Sequence, residues 1–183
     1  MNIFITKCSY ILPMPLVYKI QKFLKRKFDK LNLKRKDFVQ KTNISYATIC
    51  KIMNLSQPNP EIGTILKIAN YFKCSMDEVV GRNKYVTQDE FIDISLSNIT
   101  SNLRSFINKK LQEQNLNPYK LGGYIGFSEN PIQDFIKENS TQEKLSSPIT
   151  VALADYFQIS LDEMVGRIKP TTSNNKPSQQ TNE

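Results

Sequence analysis

The side chains best suited to bind a charged ligand form a run of three basic residues, Lys34-Arg35-Lys36. Lysine and arginine bind phosphate groups, and arginine does so through paired N–H donors. A run of this kind can also be an ordinary solvated surface that serves solubility, so that interpretation stays open. The run stands at the start of a predicted helix, however, where cations oppose the helix dipole. This position favours a role in binding an anionic partner.

The charge is unevenly distributed along the chain, which has 25 basic and 17 acidic residues and a formal net charge of +8. Residues 15–82 contain 14 basic and 5 acidic side chains, whereas residues 98–167 contain 7 and 8. A strongly basic surface favours a polyanionic partner. We therefore expect the first half of the chain to meet such a partner.

Catalysis and metal binding have little support in the sequence. The chain has no histidine, which removes the usual general base and the usual zinc ligand. Cys8, Cys50 and Cys74 lack the spacing of a zinc knuckle or a disulfide framework. Cys50 is expected to be an inert thiol, and Cys74, which aligns with Ile159, a small core residue. We predict a protein that is not an enzyme, has no cofactor or metal, and resides in the reducing cytoplasm.

The basic stretch and the near-neutral stretch are copies of one another. Residues 71–82 recur as residues 156–167, with 8 of 12 positions identical. We call residues 15–82 the first repeat and residues 98–167 the second repeat, and predict that each is a small domain. The remaining segments are predicted to be an N-terminal extension at 1–14, a linker at 83–97 and a disordered tail at 168–183.

The spacing of apolar residues predicts helices and no strands in both repeats. In the first repeat the predicted helices span 16–30, 35–41, 45–53 and 61–72, followed by one that stops at Gly81. Leu31 is assigned to the inward side of the first helix, and Ile49 and Ile52 to the inward side of the third. The motif Ser75-Met76-Asp77-Glu78 is assigned to a capping box. The second repeat follows the same plan, with helix starts predicted at Asn117-Pro118, Ser128 and Ser160. The predicted fold is all-α, with five helices in each of two domains.

Residues 16–82 resemble the lambda-repressor/Cro-like helix-turn-helix domains of the XRE family. The resemblance rests on residues 32–54, which read NLKRKDFVQKTNISYATICKIMN, within five predicted helices in register. Residues 100–167 resemble the same domain more loosely, which implies two tandem helix-turn-helix domains. Three positions depart from the family pattern: Val39, Met53 and Leu55 stand where Ala, Glu and Gly are common.

The resemblance implies a sequence-specific, double-stranded DNA-binding transcriptional regulator, a repressor associated with the nucleoid, whose third helix reads the major groove. It implies that Tyr46 and Ala47 contact thymine methyl groups and that Lys51 reaches a guanine edge. Phosphate contacts are implied for other positions, which fix register without conveying sequence. The complete set of implied DNA-binding residues is Lys34, Arg35, Lys36, Ser45, Tyr46, Ala47, Thr48, Lys51 and Asn54.

The second repeat carries Glu129, Asn130 and Asp134 where the first has Tyr46, Ala47 and Lys51. Carboxylates are repelled by phosphates, so we expect a dimerisation or partner surface there; the alternative is a weaker DNA contact on an adjoining half-site. We predict a homodimer on a palindromic site, held partly by the second repeat. The alternative function is an antitoxin-like or partner-binding protein whose DNA binding is autoregulatory.

The first residues of the chain leave two interpretations open. Residues 1–13 contain an apolar segment that is interrupted by Lys7 and Pro13 and is too short to span a membrane. The segment is either an arm that adds to a dimer contact or an extension upstream of a true start at Met14. No membrane segment is predicted.

Overall fold

The computed structural model describes residues 15–56, 59–86, 90–137 and 144–168. The regular structure of these residues is entirely helical, so the predicted all-α class is confirmed. The first repeat contains α1 (Leu16–Leu31), α2 (Arg35–Thr42), α3 (Tyr46–Met53), α4 (Ile62–Phe72) and α5 (Met76–Val80). A 3-10 turn at Asn83–Tyr85 follows, and then α6 (Leu96–Glu113), α7 (Pro118–Ile125), α8 (Asn130–Ile136), α9 (Ser147–Tyr156) and α10 (Leu161–Met164).

The core of the first repeat forms around Phe38 of α2, which is fully buried. Its ring centroid lies 5.2 Å from that of Phe28 and 4.9 Å from that of Tyr71, both in edge-to-face arrangements. Such pairs add to the energy of apolar burial. Because α1 and α4 supply these partner rings, Phe38 fixes α2 against both of them.

The prediction that Leu31 faces the core is wrong, since the residue is 56% exposed. The helix ends there because Asn32 adopts the left-handed conformation and the backbone N–H of Leu33 donates to the carbonyl of Phe28 at 2.9 Å. This C-terminal turn brings Leu33 against the core. Leu31, which precedes this turn, therefore faces away from the core.

The predicted start of α8 at Ser128 is also wrong. The helix begins at Asn130, and the residue before it, Glu129, has helical backbone angles and no capping bond from its side chain. The carbonyl of Glu129 accepts from the backbone N–H of Gln133 at 2.9 Å. Pro131 lies in the first turn, where its fixed φ suits a helix and its missing N–H is not needed. The proline therefore sets the start of α8.

The two predicted capping boxes differ in the structure. Ser160 accepts from the backbone N–H of Glu163 at 3.0 Å, as predicted. Ser75 instead accepts from the backbone N–H of Asp77 at 3.0 Å, and its hydroxyl donates to Asp162 at 2.8 Å. The carboxylate of Glu78 pairs with Lys27 at 3.2 Å.

The two repeats pack against each other where α5 meets α10. Asp77 and Asp162 are fully buried there, and they form ion pairs with Arg82 and Arg167 respectively. Burial raises the pKa of Asp77 to about 7, although the neighbouring Arg82 guanidinium acts in the opposite direction. We call this region the junction, and it places a charged cluster inside an otherwise apolar core.

Several expectations fall on residues outside the described ranges. The predicted extension at 1–14 and residues 169–183 of the predicted tail lie there. Gly81, which was predicted to stop α5, has a φ of 71° and does end that helix. In the ranges that the structure covers, no helix combines the length and the apolar character needed to cross a bilayer.

Candidate nucleic-acid interface

Helix α3 has one face in the core and one face at the surface. Ile49 and Ile52 are fully buried, as predicted. On the other side Tyr46 is 48% exposed, and Ala47 and Lys51 are exposed as well. Residues four apart on a helix are neighbours, so position 51 lies one turn along from position 47. The three residues predicted to read bases therefore share one accessible face of α3.

Ser45 defines the N-terminal end of α3. Its hydroxyl accepts from the backbone N–H of Thr48 at 3.1 Å and lies 2.7 Å from the Thr48 hydroxyl. These contacts form an N-cap, which satisfies one of the free amides at the helix start. Two of the residues predicted to contact DNA are thus hydrogen-bonded to each other, with Ser45 exposed and Thr48 half-buried.

The basic run lies at the start of α2. Lys34 precedes the helix and makes no capping bond with its side chain, and Arg35 and Lys36 occupy the first turn. All three residues are exposed. Cations at this end of a helix oppose its dipole. The arrangement therefore lowers the stability of α2 while it creates a strongly positive surface.

Arg35 lies close to the C-terminal end of α3. It lines a surface hollow together with Phe28, Leu33 and Met53, the last residue of α3. Asn54 ends α3, donating its backbone N–H to the carbonyl of Cys50 at 2.9 Å, and is exposed. The structure thus brings Arg35 and Asn54 to one end of α3, while Ser45 and Thr48 lie at the other.

Two polar side chains that were not predicted to matter hold α3 in place. Gln21 of α1 is buried and donates from Nε2 to the carbonyl of Met53 at 2.6 Å. Lys67 of α4 donates from Nζ to the carbonyl of Asn43, in the turn before α3, at 2.9 Å. The sequence could have indicated Gln21, because it is a polar residue next to Ile20 on the inward side of α1. Lys67 offered no comparable signal, because its role depends on tertiary packing.

Leu55, which follows α3, shows why the family pattern prefers glycine at this position. Its φ is +57°, in the left-handed region that disfavours a side chain. The side chain is 43% exposed. Leu55 therefore adopts the backbone conformation of the turn after α3 with some local strain.

The two described cysteines occupy different environments. Cys50 lies on α3 and is partly exposed, whereas Cys74 is buried, as predicted. Burial raises the pKa of the Cys74 thiol to about 12, so it stays protonated at neutral pH. Across the described residues, no group of three or more histidine, cysteine or acidic side chains could hold a metal ion.

Helix α8 of the second repeat keeps the inward face of α3 but not its outward face. Ile132 and Phe135 are fully buried at the positions of Ile49 and Ile52. Asp134 is exposed, and its carboxylate pairs with Lys137 at 2.8 Å. The accessible face of α8 therefore presents Asn130 and the paired carboxylate of Asp134 where α3 presents Ala47 and Lys51.

Comparison with known proteins places residues 19–84 in a described family, the Cro/C1-type HTH DNA-binding domain. An uncharacterized HTH-type transcriptional regulator of Rickettsia prowazekii (strain Madrid E) is 46% identical over 77 residues, which are 40% of this chain and 84% of the relative. A protein of the same description from Rickettsia conorii (strain ATCC VR-613 / Malish 7) is 44% identical over 77 residues, 40% of this chain and 71% of the relative. No solved structure matches the chain significantly.

The matched residues contain α2, α3 and the turn between them, together with all of the residues predicted to bind DNA. On this similarity, the chain belongs to the Cro/C1-type helix-turn-helix family.

Proposed function

We propose that the protein is a sequence-specific transcriptional regulator that binds double-stranded DNA and reads the major groove with α3. One observation carries the proposal: Tyr46, Ala47 and Lys51 share an exposed face of α3 within the matched domain. In helix-turn-helix domains this helix lies in the major groove, and its outward side chains meet base edges. Repression follows as the simplest activity, because a protein that occupies a promoter excludes other proteins from it.

The chemistry of the exposed face assigns separate roles to its residues. Lys51 donates to guanine O6 or N7, and Tyr46 and Ala47 make apolar contacts with thymine methyl groups. The basic start of α2 supplies phosphate contacts through Lys34, Arg35 and Lys36, and Ser45, Thr48 and Asn54 add polar contacts at the two ends of α3. Phosphate contacts fix the register of the protein on the duplex, whereas base contacts give specificity.

Salt dependence of binding tests the proposal directly. Several lysine and arginine side chains close to phosphates release counterions on binding, so log Kd should change steeply with log salt concentration, with a slope of magnitude about 3–6. The full chain is titrated against duplexes selected from a random-sequence library and against unselected duplexes. A slope near zero, or no binding at low salt, contradicts the proposal.

Cysteine alkylation tests whether α3 lies against DNA. Free protein treated with iodoacetamide near pH 8 should be modified at Cys50 and not at Cys74, because the Cys74 thiol is buried and its pKa is about 12. Selected duplex DNA should slow the modification of Cys50, since this residue lies on α3 beside the exposed face. Equal modification of Cys50 with and without bound DNA contradicts the placement of α3.

A second candidate function is recognition of a protein partner through α7. The structure exposes Tyr119 at 70%, Tyr124 at 61% and Phe127 at 37%, on α7 and the turn that follows it. Exposed aromatic side chains are enriched at protein interfaces. A photo-crosslinking residue placed at position 124 should capture a protein in cells if this function holds, whereas one at Lys109 on α6, an exposed position, serves as the control.

A further inference from the structure

The polar contacts across the junction come in matched pairs. The backbone N–H of Met76 donates to Asp162 Oδ2 at 2.9 Å, and the backbone N–H of Leu161 donates to Asp77 Oδ2 at 2.8 Å. Met76 and Leu161 are equivalent positions of the two repeats, and so are Asp77 and Asp162. Each aspartate therefore caps the last helix of the other repeat.

The arginines that follow α5 and α10 repeat this pattern. Arg82 donates from Nη2 to the carbonyl of Ile159 at 3.0 Å, and Arg167 donates from Nη1 to the carbonyl of Cys74 at 2.9 Å. Ile159 and Cys74 are again equivalent positions. Each arginine also forms an ion pair with the aspartate of its own repeat.

Reciprocal contacts of this kind are what a twofold axis produces between two identical subunits: residue i contacts residue j, and j contacts i. In the junction, one chain supplies both sides of such an interface. The matched hydrogen bonds of Met76 and Leu161 show that the two sides use the same residues in the same way.

The junction is closed to further copies of the chain. Asp77 and Asp162 are fully buried, and Arg82 and Arg167 are 6% and 2% exposed. Separating the repeats would break the hydrogen bonds that these four side chains make to the other repeat, although each arginine would keep the aspartate of its own repeat. A second molecule could use these surfaces only after the internal contacts had been broken.

Besides the different hydrogen bonds of Ser75 and Ser160, one contact of Arg82 breaks the twofold pattern. Arg82 Nε donates to Asp155 Oδ1 at 2.8 Å. The residue equivalent to Asp155 in the first repeat is Asn70, and the equivalent arginine is Arg167. Among the described residues, Arg167 Nε and Asn70 Oδ1 are both buried without a hydrogen-bond partner. The second copy of this contact is therefore missing, a difference that two identical subunits would not show.

We propose that the second repeat is a helix-turn-helix unit that takes the place of a second subunit. The chain is a monomer with an internal pair of repeats, and only the first repeat reads DNA. This last statement rests on the proposed function, whereas the internal pair does not. Because the two repeats are covalently linked, their sequences can differ. This agrees with their different charge, since residues 15–82 contain 14 basic residues and residues 98–167 contain 7.

Sedimentation equilibrium of the full chain tests the internal pair without DNA. We expect a single species at the chain mass of 21.1 kDa across the micromolar range. The homodimer predicted from the sequence would have twice this mass, and finding it would overturn the proposal.

A matched pair of substitutions tests the symmetry of the junction. Asn70→Asp offers Arg167 a charged acceptor in place of the unpaired Asn70 Oδ1, so it should raise Tm by on the order of 3 °C, while Asp155→Asn should lower Tm by a similar amount. Both variants should remain monomeric. If Asn70→Asp leaves Tm unchanged or lowers it, residue 70 does not lie against Arg167 as Asp155 lies against Arg82, and the proposed twofold arrangement fails.

Stoichiometry on DNA tests the final statement. The probe is the shortest fluorescent duplex, selected from a random-sequence library, that the full chain protects. We expect one chain per duplex and an asymmetric protected sequence, whereas two chains on a palindrome would overturn the statement. If no duplex binds, the proposed function fails, while the mass and the Tm shifts still decide the internal pair.

Discussion

Helices α3 and α8 occupy equivalent places in the two repeats and differ almost only in what they show to solvent. Ile49 and Ile52 in α3, and Ile132 and Phe135 in α8, are all fully buried. Outward, Lys51 of α3 is replaced by Asp134. The inward positions determine how the helix packs, and the outward positions determine what it can bind. The side chains that a helix presents to solvent can therefore change without a change in how it packs.

Helices α2 and α7 show the same separation at their N-termini. Asn117 caps α7 by accepting from the backbone N–H of Lys120 at 2.8 Å, and Pro118 occupies the first turn. Lys34, the residue at the same place before α2, makes no such bond. The start of α7 favours helix stability, whereas the start of α2 gives up stability for positive charge.

The largest expected effect concerns the junction, to which the two repeats contribute equivalent residues. Asp77→Ala and Asp162→Ala should each lower the free energy of unfolding by about 3–5 kcal/mol. Asp162→Ala leaves the buried Arg167 without its carboxylate, and Asp77→Ala leaves the buried Arg82 with the partly exposed Asp155 alone. Urea denaturation of the full chain measures both. Asp134→Ala, which removes an exposed ion pair, should cost at most about 1 kcal/mol and serves as the control. A large cost at Asp77 with none at Asp162 would show that the junction is one-sided.

The second effect concerns the outward side chains of α3 and α8, which differ between the repeats. Lys51→Ala should weaken binding to the best site by about 1–3 kcal/mol and reduce the preference for it over random DNA. Asp134→Ala should leave the affinity nearly unchanged. Fluorescence titration with selected and random duplexes measures both variants. An equal loss for Lys51→Ala on the two duplexes would mean that Lys51 contacts phosphate and does not read a base.

The third comparison uses two serines that the sequence placed at equivalent helix starts. Ser45→Ala should destabilise the protein by about 1 kcal/mol, because the hydroxyl caps α3. Ser128→Ala should change stability by less than about 0.5 kcal/mol, because Glu129, and not Ser128, directly precedes α8. Urea denaturation measures both values, and equal costs would contradict the observed start of α8.

The smallest effect separates stability from binding at the start of α2. Lys34→Asn gives α2 the kind of cap that α7 has, so it should raise the free energy of unfolding by about 0.5–1 kcal/mol. It should also reduce the magnitude of the salt slope by about 1, because one phosphate contact is lost. Thermal denaturation and salt titration of the one variant measure the two changes. If the variant gains stability and its salt slope is unchanged, Lys34 does not contact phosphate and is not part of the proposed interface.

The helices of the first repeat were predictable because their signals are local. Apolar residues at helical spacing marked Ile49 and Ile52, Ser45 marked a start, and Gly81 marked an end. Predicted boundaries for α1 to α4 fall within a residue or so of those observed. The exposed face of α3 followed from the same periodicity, since the outward residues are those that the core leaves over.

The junction was not predictable, because its contacts join residues far apart in the sequence. The motif around Ser75 has the residues of a capping box, but Asp162 from the other repeat competes for its hydroxyl. Local spacing reports nothing about such a partner. The prediction that α8 starts at Ser128 was wrong for a local reason. Pro131 set the helix start, and its effect outweighed the preference of serine for capping.

The exchange of caps between the repeats also governs how the chain unfolds. The acceptors for the Met76 and Leu161 amides lie 86 and 84 residues away, so these hydrogen bonds form only after most of the chain has found its place. Neither repeat can lose its last helix without withdrawing a cap from the other. Thermal unfolding should consequently be a single cooperative transition, and in hydrogen exchange the two amides should open together, with the same protection.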